Sequence, residues 1–405
     1  MNTRIACLLL LAIAHASGTA APKFPVILKA GTEHFRNNKF NPARSISLAW
    51  SPDGKHIVST GRKTILDNGG RKQSELQLVL WDAVTWDKRN KKILAKFQNE
   101  QPFHRNIDFF DPQDSSRFAI SPGLGVSIFN LNRPKDKSRV LGDYLGRNFQ
   151  PFWSTDGKKF AALNSQRGGV RGGVVSVVDV AVDKEIYHLK LGLIQSRAQG
   201  GRFNTNTLAW SPDGKMLAML GRKEIVVYNE SLEEEVFRFP LTLGQRFGWS
   251  PDGTKLAFSQ GDKVIGILDT TEWDGEPEKN KVDYSIRIKE TFPGPPDVRI
   301  TGPRSASVGF FAWGPQSKRI AVSTFKFIKT PITHYVPVLQ ILHAGTGELL
   351  HNFDNITWLD QPQAFPKNGT RSGSGATGNI AWSPDGFKIA LGIGDGTIRV
   401  FKTPK

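Results

Sequence analysis

The sequence has almost no cysteine. Its one cysteine, Cys7, lies in an N-terminal segment that resembles a secretory signal peptide, with a charged start at Arg4, an apolar run over residues 5–14 and small residues after it. We therefore expect residues 1–21 to be a signal peptide and residues 22–405 to be the mature chain. Without cysteine the mature chain cannot form disulfides, so packing and strand pairing must stabilise it in an oxidising compartment. This favours a bacterial periplasm or cell surface over a eukaryotic secretory product.

Long apolar runs and helical periodicity are also missing. No stretch of the mature chain reaches the roughly 18 apolar residues that a membrane helix needs, so we expect no transmembrane segment there. The composition, with 26 Phe, 10 Trp and 40 Gly in 405 residues, suits a globular protein with many short strands and turns. We expect an exported, soluble monomer.

Motifs for metal binding and catalysis are scarce. The histidines of the mature chain show neither His-x-His nor His-x-x-x-His spacing, which argues against a zinc site. No Gly-x-Ser-x-Gly elbow occurs, and the glycine-rich residues 168–173 lack the lysine and the following helix of a phosphate loop. We therefore expect no metal and no cofactor, and we assign no catalytic residue.

One phrase, however, is repeated along the whole chain. It consists of Trp-Ser-Pro-Asp-Gly and a following apolar stretch, and it predicts a strand, a tight turn and a second strand. Proline presets φ in such a turn, aspartate hydrogen-bonds to its own backbone, and glycine takes the left-handed conformation. Clear copies begin at Trp50, Trp153 (with Thr155 in place of the proline), Trp210, Trp249 and Trp382, and weaker copies begin at Phe110 and Trp313.

The spacing of the copies, roughly 40 to 70 residues, matches the four-stranded blades of a β-propeller. We predict an all-β, seven-bladed propeller of antiparallel blades, or six blades if the copy at Phe110 is a false match. The last copy stops after its third strand, Thr397 to Phe401, whereas a spare strand, Phe24 to Lys29, precedes the first copy. This N-terminal strand is predicted to complete the last blade and close the ring.

The phrase Trp-Ser-Pro-Asp-Gly-Lys with its apolar strand resembles the repeat of TolB-like propellers, and it is similar to the first half of WD repeats. Trp81-Asp82 is the only Trp-Asp pair at the end of a third strand, and the Gly-His pair typical of WD repeats is absent. The resemblance therefore leans towards TolB-like propellers. It implies the fold but no particular function, because such propellers serve many roles.

The repeated aspartates and tryptophans could be mistaken for functional clusters. The turn position favours a structural role for the aspartates, and the repeated tryptophan position indicates core between blades. The aspartates are Asp53, Asp156, Asp213, Asp252 and Asp385.

The large positive charge of the chain is the one feature that a propeller fold does not by itself require. The formal net charge is +17 and the pI is near 9.9. In a propeller, the connections from each fourth strand to the next first strand share one face with the connections from second to third strands. By the predicted boundaries, this face carries about +12 and the opposite face about −2. The longest predicted loops, near residues 59–75, 191–207, 290–307, 324–337 and 354–379, all lie on the basic face.

These observations favour an exported, non-catalytic platform whose basic face binds a protein or an acidic envelope polymer. Arginine, which predominates there, suits bidentate contacts with carboxylate, sulfate or phosphate groups. The candidate contacts are one arginine from the connection leading into each blade: Arg44, Arg105, Arg147, Arg202, Arg246, Arg304 and Arg371.

Other interpretations remain open at this point. The basic residues could merely solvate the loops. The chain could also be an enzyme, of lyase, hydrolase or lactonase type, that acts on an anionic small molecule or sugar at the central channel. Nucleic acid is disfavoured as a partner, because the chain is expected to be exported and carries no recognition motif.

Overall fold

The computed structural model describes most of the strand-forming part of the chain. The described residues are 24–29, 47–66, 72–86, 92–98, 110–120, 125–133, 139–142, 151–164, 174–190, 208–220, 224–241, 246–260, 264–271, 284–287, 310–329, 333–353, 356, 377–393 and 397–404. The expected signal peptide, residues 1–21, lies outside them.

Every regular element in these segments is a β-strand. In the first half of the chain the strands are β1 (Val26–Lys29), β2 (Ser47–Trp50), β3 (His56–Leu66), β4 (Lys72–Asp82), β5 (Lys92–Gln98), β6 (Phe110–Asp111), β7 (Asp114–Ile120), β8 (Val126–Asn130), β9 (Arg139–Leu141), β10 (Pro151–Trp153), β11 (Lys159–Asn164), β12 (Val174–Asp179) and β13 (Lys184–Lys190). In the second half they are β14 (Leu208–Trp210), β15 (Met216–Leu220), β16 (Glu224–Asn229), β17 (Glu235–Pro240), β18 (Phe247–Trp249), β19 (Lys255–Gln260), β20 (Val264–Asp269), β21 (Tyr284–Arg287), β22 (Phe310–Trp313), β23 (Arg319–Lys329), β24 (Thr333–His343), β25 (Leu349–Phe353), β26 (Thr377–Trp382), β27 (Lys388–Ile393) and β28 (Thr397–Lys402).

The strands form seven four-stranded antiparallel sheets, which are the blades of a propeller. Blades 1 to 6 take four consecutive strands each, from β2 to β25, and blade 7 consists of β26, β27, β28 and β1. The weak copy at Phe110 forms the first hairpin of blade 2, so the prediction of seven blades is confirmed and the six-bladed alternative is wrong.

The N-terminal strand closes the ring as predicted. β1 pairs antiparallel with β28, with Val26 opposite Val400 and Leu28 opposite Ile398. Val26 and Leu28 are buried in one cluster with Leu48 of blade 1. The two ends of the chain are therefore held together by backbone hydrogen bonds and by apolar packing, without a covalent link.

The turn of each repeat forms for the reasons that its sequence suggests. In blade 1, the hydroxyl of Ser51 donates to Oδ1 of Asp53 at 2.6 Å, and the N–H of Lys55 donates to the same oxygen at 3.0 Å. The N–H of His56 donates to Oγ of Ser51 at 2.9 Å. Gly54 has φ 70°, a conformation that glycine adopts without steric cost. Corresponding serine–aspartate hydrogen bonds recur at the other four clear copies.

The core lies between blades. The first strands of most neighbouring blades contact one another and form the inner ring. Each buried cluster joins two or more sheets. One of them packs Ala257 and Ile265 of blade 5 against Trp313 and Ile320 of blade 6. Stability therefore depends on an unbroken circle of blades.

The repeated tryptophans connect this circle through hydrogen bonds. In five blades the indole N–H donates to the carbonyl of the residue that precedes the corresponding tryptophan in the neighbouring blade. These bonds are Trp50 to Ala381 (3.2 Å), Trp210 to Phe152 (3.1 Å), Trp249 to Ala209 (3.2 Å), Trp313 to Gly248 (3.0 Å) and Trp382 to Ala312 (3.0 Å). The prediction that these residues form core between blades is confirmed.

Two of the predicted long loops are strands instead. Residues 59–75 and 324–337 lie largely in the hairpins β3–β4 and β23–β24, whose strands have 11 residues each. Both ladders continue six residues beyond the pairing with the first strand of the blade. In blade 1, however, β5 accompanies β4 as far as Glu75. The predicted loops at 191–207, 290–307 and 354–379 fall almost wholly outside the described residues.

Candidate functional site

The observed topology defines a basic face by its connections. The connections from each fourth strand to the next first strand are residues 30–46, 99–109, 142–150, 191–207, 241–246, 288–309 and 354–376. The connections from second to third strands, including the far ends of the hairpins β3–β4 and β23–β24, share this face with them. We call this set the basic face. The turns between first and second strands and between third and fourth strands form the opposite face.

Arg246 is the one candidate contact that lies among the described residues. It directly precedes β18, and its backbone N–H donates to Oγ of Ser259 at 3.0 Å. Its side chain is buried, and its guanidinium carbon lies 3.4 Å from the ring centroid of Phe310 in blade 6. Arg246 is therefore packed between blades 5 and 6. The other six candidates, Arg44, Arg105, Arg147, Arg202, Arg304 and Arg371, lie outside the described residues.

Among the described residues, the two long hairpins are the largest regular features of the basic face. They belong to blades 1 and 6, which both contact blade 7 through their first strands. One hairpin therefore stands on each side of the blade that closes the ring. The sequence contained one signal for the hairpin β3–β4, because residues 67–70 read Asp-Asn-Gly-Gly and Asn-Gly favours tight hairpin turns.

On the opposite face, the repeated aspartates are used by the turns themselves. Burial alone raises the pKa of Asp213, but the hydrogen bonds from Ser211 and from the N–H of Lys215, together with the lysine charge, outweigh it and hold that pKa below its usual value. The pKa values of the other four turn aspartates are lowered by the same kind of contacts. The structural role predicted for these aspartates is confirmed.

Neighbouring turns on the opposite face also contact one another. The N–H of Asp53 donates to Oγ of Ser115 in blade 2, and the N–H of Asp252 donates to Oγ of Ser317 in blade 6. Gly54 lies against Pro384 of blade 7. The turns thus join adjacent blades at the end of the inner ring that is away from the basic face.

Blade 2 departs from the repeat. Phe110 replaces the tryptophan and has no side-chain N–H to donate, and Nε1 of Trp153 has no hydrogen-bond partner within the described residues. Asp111, in the serine position, is buried and pairs with Arg117 at 3.0 Å. Burial raises the pKa of Asp111 despite the opposing effect of that arginine. Sequence reasoning missed this ion pair because the repeat offers no template for it.

Blade 4 carries an ion-pair cluster on its outer strands that the sequence did not single out. Arg238 donates to both oxygens of Glu235, at 2.7 and 2.6 Å, and to Glu224 at 2.7 Å. These contacts lower the pKa of Glu235. In the neighbouring turn, Glu230 pairs with Lys159 of blade 3 at 2.7 Å. Each of these acids has a cationic partner in the fold itself.

Neither a cluster of metal-binding side chains nor a membrane-spanning helix is found among the described residues. No group of three or more His, Cys, Asp or Glu residues in that part of the chain is arranged to hold a metal ion. Within the same residues, no helix is long and apolar enough to cross a membrane.

The comparisons with known proteins support the fold. No protein-family model matches the chain, and no curated protein matches it. Among solved structures, the β-propeller domain of Cps50 (Swd1) from Myceliophteria thermophila is similar, with a TM-score of 0.56 and 14% sequence identity over 91% of this chain and 99% of that one. At this identity the likeness shows a WD-repeat-like propeller fold and nothing about function.

Proposed function

We propose that the chain is an exported, non-catalytic binding platform whose basic face captures an anionic partner, either a protein or an acidic envelope polymer. The observation that carries the proposal is the unequal distribution of charge between the faces of a fold with known topology. With the observed strand bounds, the residues of the basic face still sum to about +12.

The chemistry of the basic residues supports an anionic partner. Arginine outnumbers lysine on the basic face, and its planar guanidinium binds carboxylate, sulfate and phosphate groups in a bidentate manner. Long-range attraction would steer a partner towards this face, and docking would follow. The contacts proposed are Arg44, Arg105, Arg147, Arg202, Arg304 and Arg371. Arg246 is the seventh proposed contact, and its side chain is packed between blades 5 and 6.

The acidic residues of the opposite face support the choice of face. The turn aspartates accept hydrogen bonds from their own turns, and Glu230 and Glu235 have cationic partners within the fold. These carboxylates are therefore engaged in holding turns and blades together. Binding of an anion is proposed for the basic face alone.

The test uses the mature chain immobilised and exposed to envelope extract from its own host at low and at high salt, with identification of retained material by mass spectrometry. We expect one defined protein or acidic polymer that salt releases. Affinity is then measured with the identified partner. Replacing Arg44, Arg105 and Arg147 by Glu should weaken this binding at least tenfold and flatten its salt dependence.

A matched control carries the same change of charge on the opposite face. Lys158, Lys215 and Lys318 are exposed and lie in turns between first and second strands. Their replacement by Glu should leave most of the affinity intact, because these positions are remote from the basic face. Equal losses in both variants would mean that only net charge matters, and unchanged affinity in the arginine variant would refute the choice of face.

A further inference from the structure

The hairpin β23–β24 extends beyond both of its neighbours in blade 6. β22 pairs with β23 only as far as Ser323, and β25 pairs with β24 only as far as Leu339. The ladder between β23 and β24 nevertheless continues to the pair Lys329 and Thr333. At about 3.4 Å per residue, the six residues from 324 to 329 extend roughly 20 Å past the last pairing with β22.

The backbone of this extension has two edges with different properties. The N–H of Gly314 donates to the carbonyl of Arg319, and the N–H of Ala344 donates to the carbonyl of Lys318. Odd-numbered residues of β23 therefore direct their backbone groups towards β22, and even-numbered residues direct theirs towards β24. Beyond the end of β22, the groups of Phe325, Phe327 and Lys329 form the inner edge, and no described strand pairs with it.

The outer edge is blocked by proline, and the inner edge is not. Pro337 lies opposite Phe325, at a position of β24 whose nitrogen is directed away from β23, and proline has no N–H to donate. Proline is a common means of preventing an edge strand from pairing with another chain. The inner edge, in contrast, retains a complete set of donors and acceptors.

The charge of the hairpin extension indicates which kind of strand could pair with its inner edge. Residues 324–337 contain Lys326 and Lys329 and no acidic residue, within a chain of net charge +17. A second copy of this basic hairpin would meet like charges, which destabilise cross-strand pairs. An extended segment rich in Asp or Glu would meet charges of opposite sign.

We infer that the inner edge of β23 is a docking edge at which an extended acidic segment of a partner protein adds as an extra strand to the hairpin. Its backbone would accept hydrogen bonds from the N–H groups of Phe325, Phe327 and Lys329 and donate to their carbonyls, as in strand addition generally. The inference rests on the proposed function, because it names an acidic polypeptide as the partner of the basic face and identifies where that partner would bind.

The test uses a fluorescein-labelled 12-residue peptide of alternating Glu and Thr, titrated with the mature chain at low salt. A second peptide has the same sequence with N-methyl groups on its central amides, so that it keeps the charge but cannot donate hydrogen bonds there. The Phe327→Pro variant removes a donor from the inner edge without interrupting the ladder between β23 and β24. The Tyr335→Pro variant makes the same change directly opposite, on the outer edge, and is the matched control.

We expect the unmodified peptide to bind, and N-methylation or Phe327→Pro to weaken binding about tenfold, as for the loss of one or two hydrogen bonds. Tyr335→Pro should change the affinity by less than about twofold. If Phe327→Pro does not fold, as judged by circular dichroism, the comparison of the two peptides on the unaltered chain still decides the question.

The remaining outcomes separate this inference from the proposed function. If both peptides bind equally and salt abolishes the binding, strand addition is refuted while anion capture by the basic face stands. Equal weakening by both proline variants would also refute docking at the inner edge. If neither peptide binds at low salt, both the strand addition and the capture of acidic polypeptides are refuted.

Discussion

At the scale of single residues, the indole hydrogen bonds between blades give a direct test of how the ring is held. Replacing Trp313 by Phe keeps an aromatic ring in the core but removes the donor to the carbonyl of Gly248. Trp153→Phe makes the same change at a buried indole whose N–H has no acceptor among the described residues. We expect Trp313→Phe to lower the free energy of unfolding by about 1 kcal/mol more than Trp153→Phe. Guanidinium denaturation monitored by circular dichroism measures the difference, and equal losses would show that packing alone holds neighbouring blades.

Three glycines give a second test at this scale, of how the surroundings of a residue affect stability. Gly157 and Gly253 occupy the same turn position in two blades, and Gly248 lies in β18. Gly157 has φ 68°, and a Cβ there would overlap the carboxylate of Asp111 in blade 2. Gly253 has φ 75°, but the nearest atom to its Cβ would be 3.6 Å away in Pro212. Gly248 has ordinary φ and nothing within 4 Å of a Cβ.

The expected order of stability follows from these differences. Gly248→Ala should be neutral or stabilise the fold by up to about 1 kcal/mol, because alanine loses less entropy in a strand. Gly253→Ala should cost about 1–2 kcal/mol for the left-handed conformation. Gly157→Ala should cost more than that, because the side chain of Asp111 must also move. Thermal melts of the three variants test the order. A Gly157 variant as stable as the Gly253 variant would mean that the side chain of Asp111 can move aside without loss of stability.

At the scale of elements, the short strand β1 decides whether the circle is closed. Leu28 is almost fully buried against blade 1, whereas Ile27, on the alternate face, is half-buried. Leu28→Ala should destabilise the mature chain by about 2–5 kcal/mol, as is usual for truncation of a buried leucine. Ile27→Ala is the control and should cost clearly less.

Replacing residues 24–29 by a glycine–serine linker should have a larger effect, because it also removes the pairing with β28. Blade 7 would then lose its outer strand and the cover of its apolar face, so we expect a broad melt at lower temperature instead of one sharp transition. Calorimetry of the chain starting at residue 22, with and without the linker, provides the comparison. An unchanged, cooperative melt would contradict the role assigned to β1.

Elements whose residues are dictated by turn chemistry and burial could be predicted from the sequence. The turn at Ser51 to Lys55 needs serine, aspartate and glycine at fixed positions, and the strands beside it need alternating apolar residues. The far ends of β3 and β23 could not be predicted in this way, because no copy of the turn phrase marks them and they lie beyond the pairing with the first strands of their blades. Charged and glycine residues near Arg62 and Gly69 therefore suggested a loop.

The same limit applies to the candidate site. Arginine is usually exposed, so the sequence placed Arg246 among surface contacts, whereas the contact with Phe310 depends on the angle between two blades. The ion pair of Asp111 and Arg117 likewise depends on contacts outside the repeat. Residue type and spacing identified the basic face. Whether an arginine beside the first strands is buried, as Arg246 is, depends on how the blades are assembled.

At the scale of the whole molecule, the turn aspartates couple stability to pH. Each of the five has its pKa held below the ordinary value of 3.8 by hydrogen bonds from its own turn. The unfolded chain therefore takes up protons at higher pH than the folded chain does. The stabilisation is complete above the unfolded pKa and is lost as the pH falls through the lower folded values.

Asp111 works in the opposite sense, because its pKa is raised in the folded chain. It is one carboxyl group against seven, because the pKa values of Glu235 and Asp269 are lowered as well. The growing positive charge of an already basic protein adds repulsion at low pH. We therefore expect the melting temperature to be nearly constant from about pH 7 to pH 5 and to fall steeply below about pH 4. Asp213→Asn should make the fall in melting temperature at low pH less steep than in the unaltered chain, because the amide cannot take up the proton. A melting temperature that is independent of pH down to about 2.5 would mean that the turn carboxylates do not contribute to the stability of the propeller.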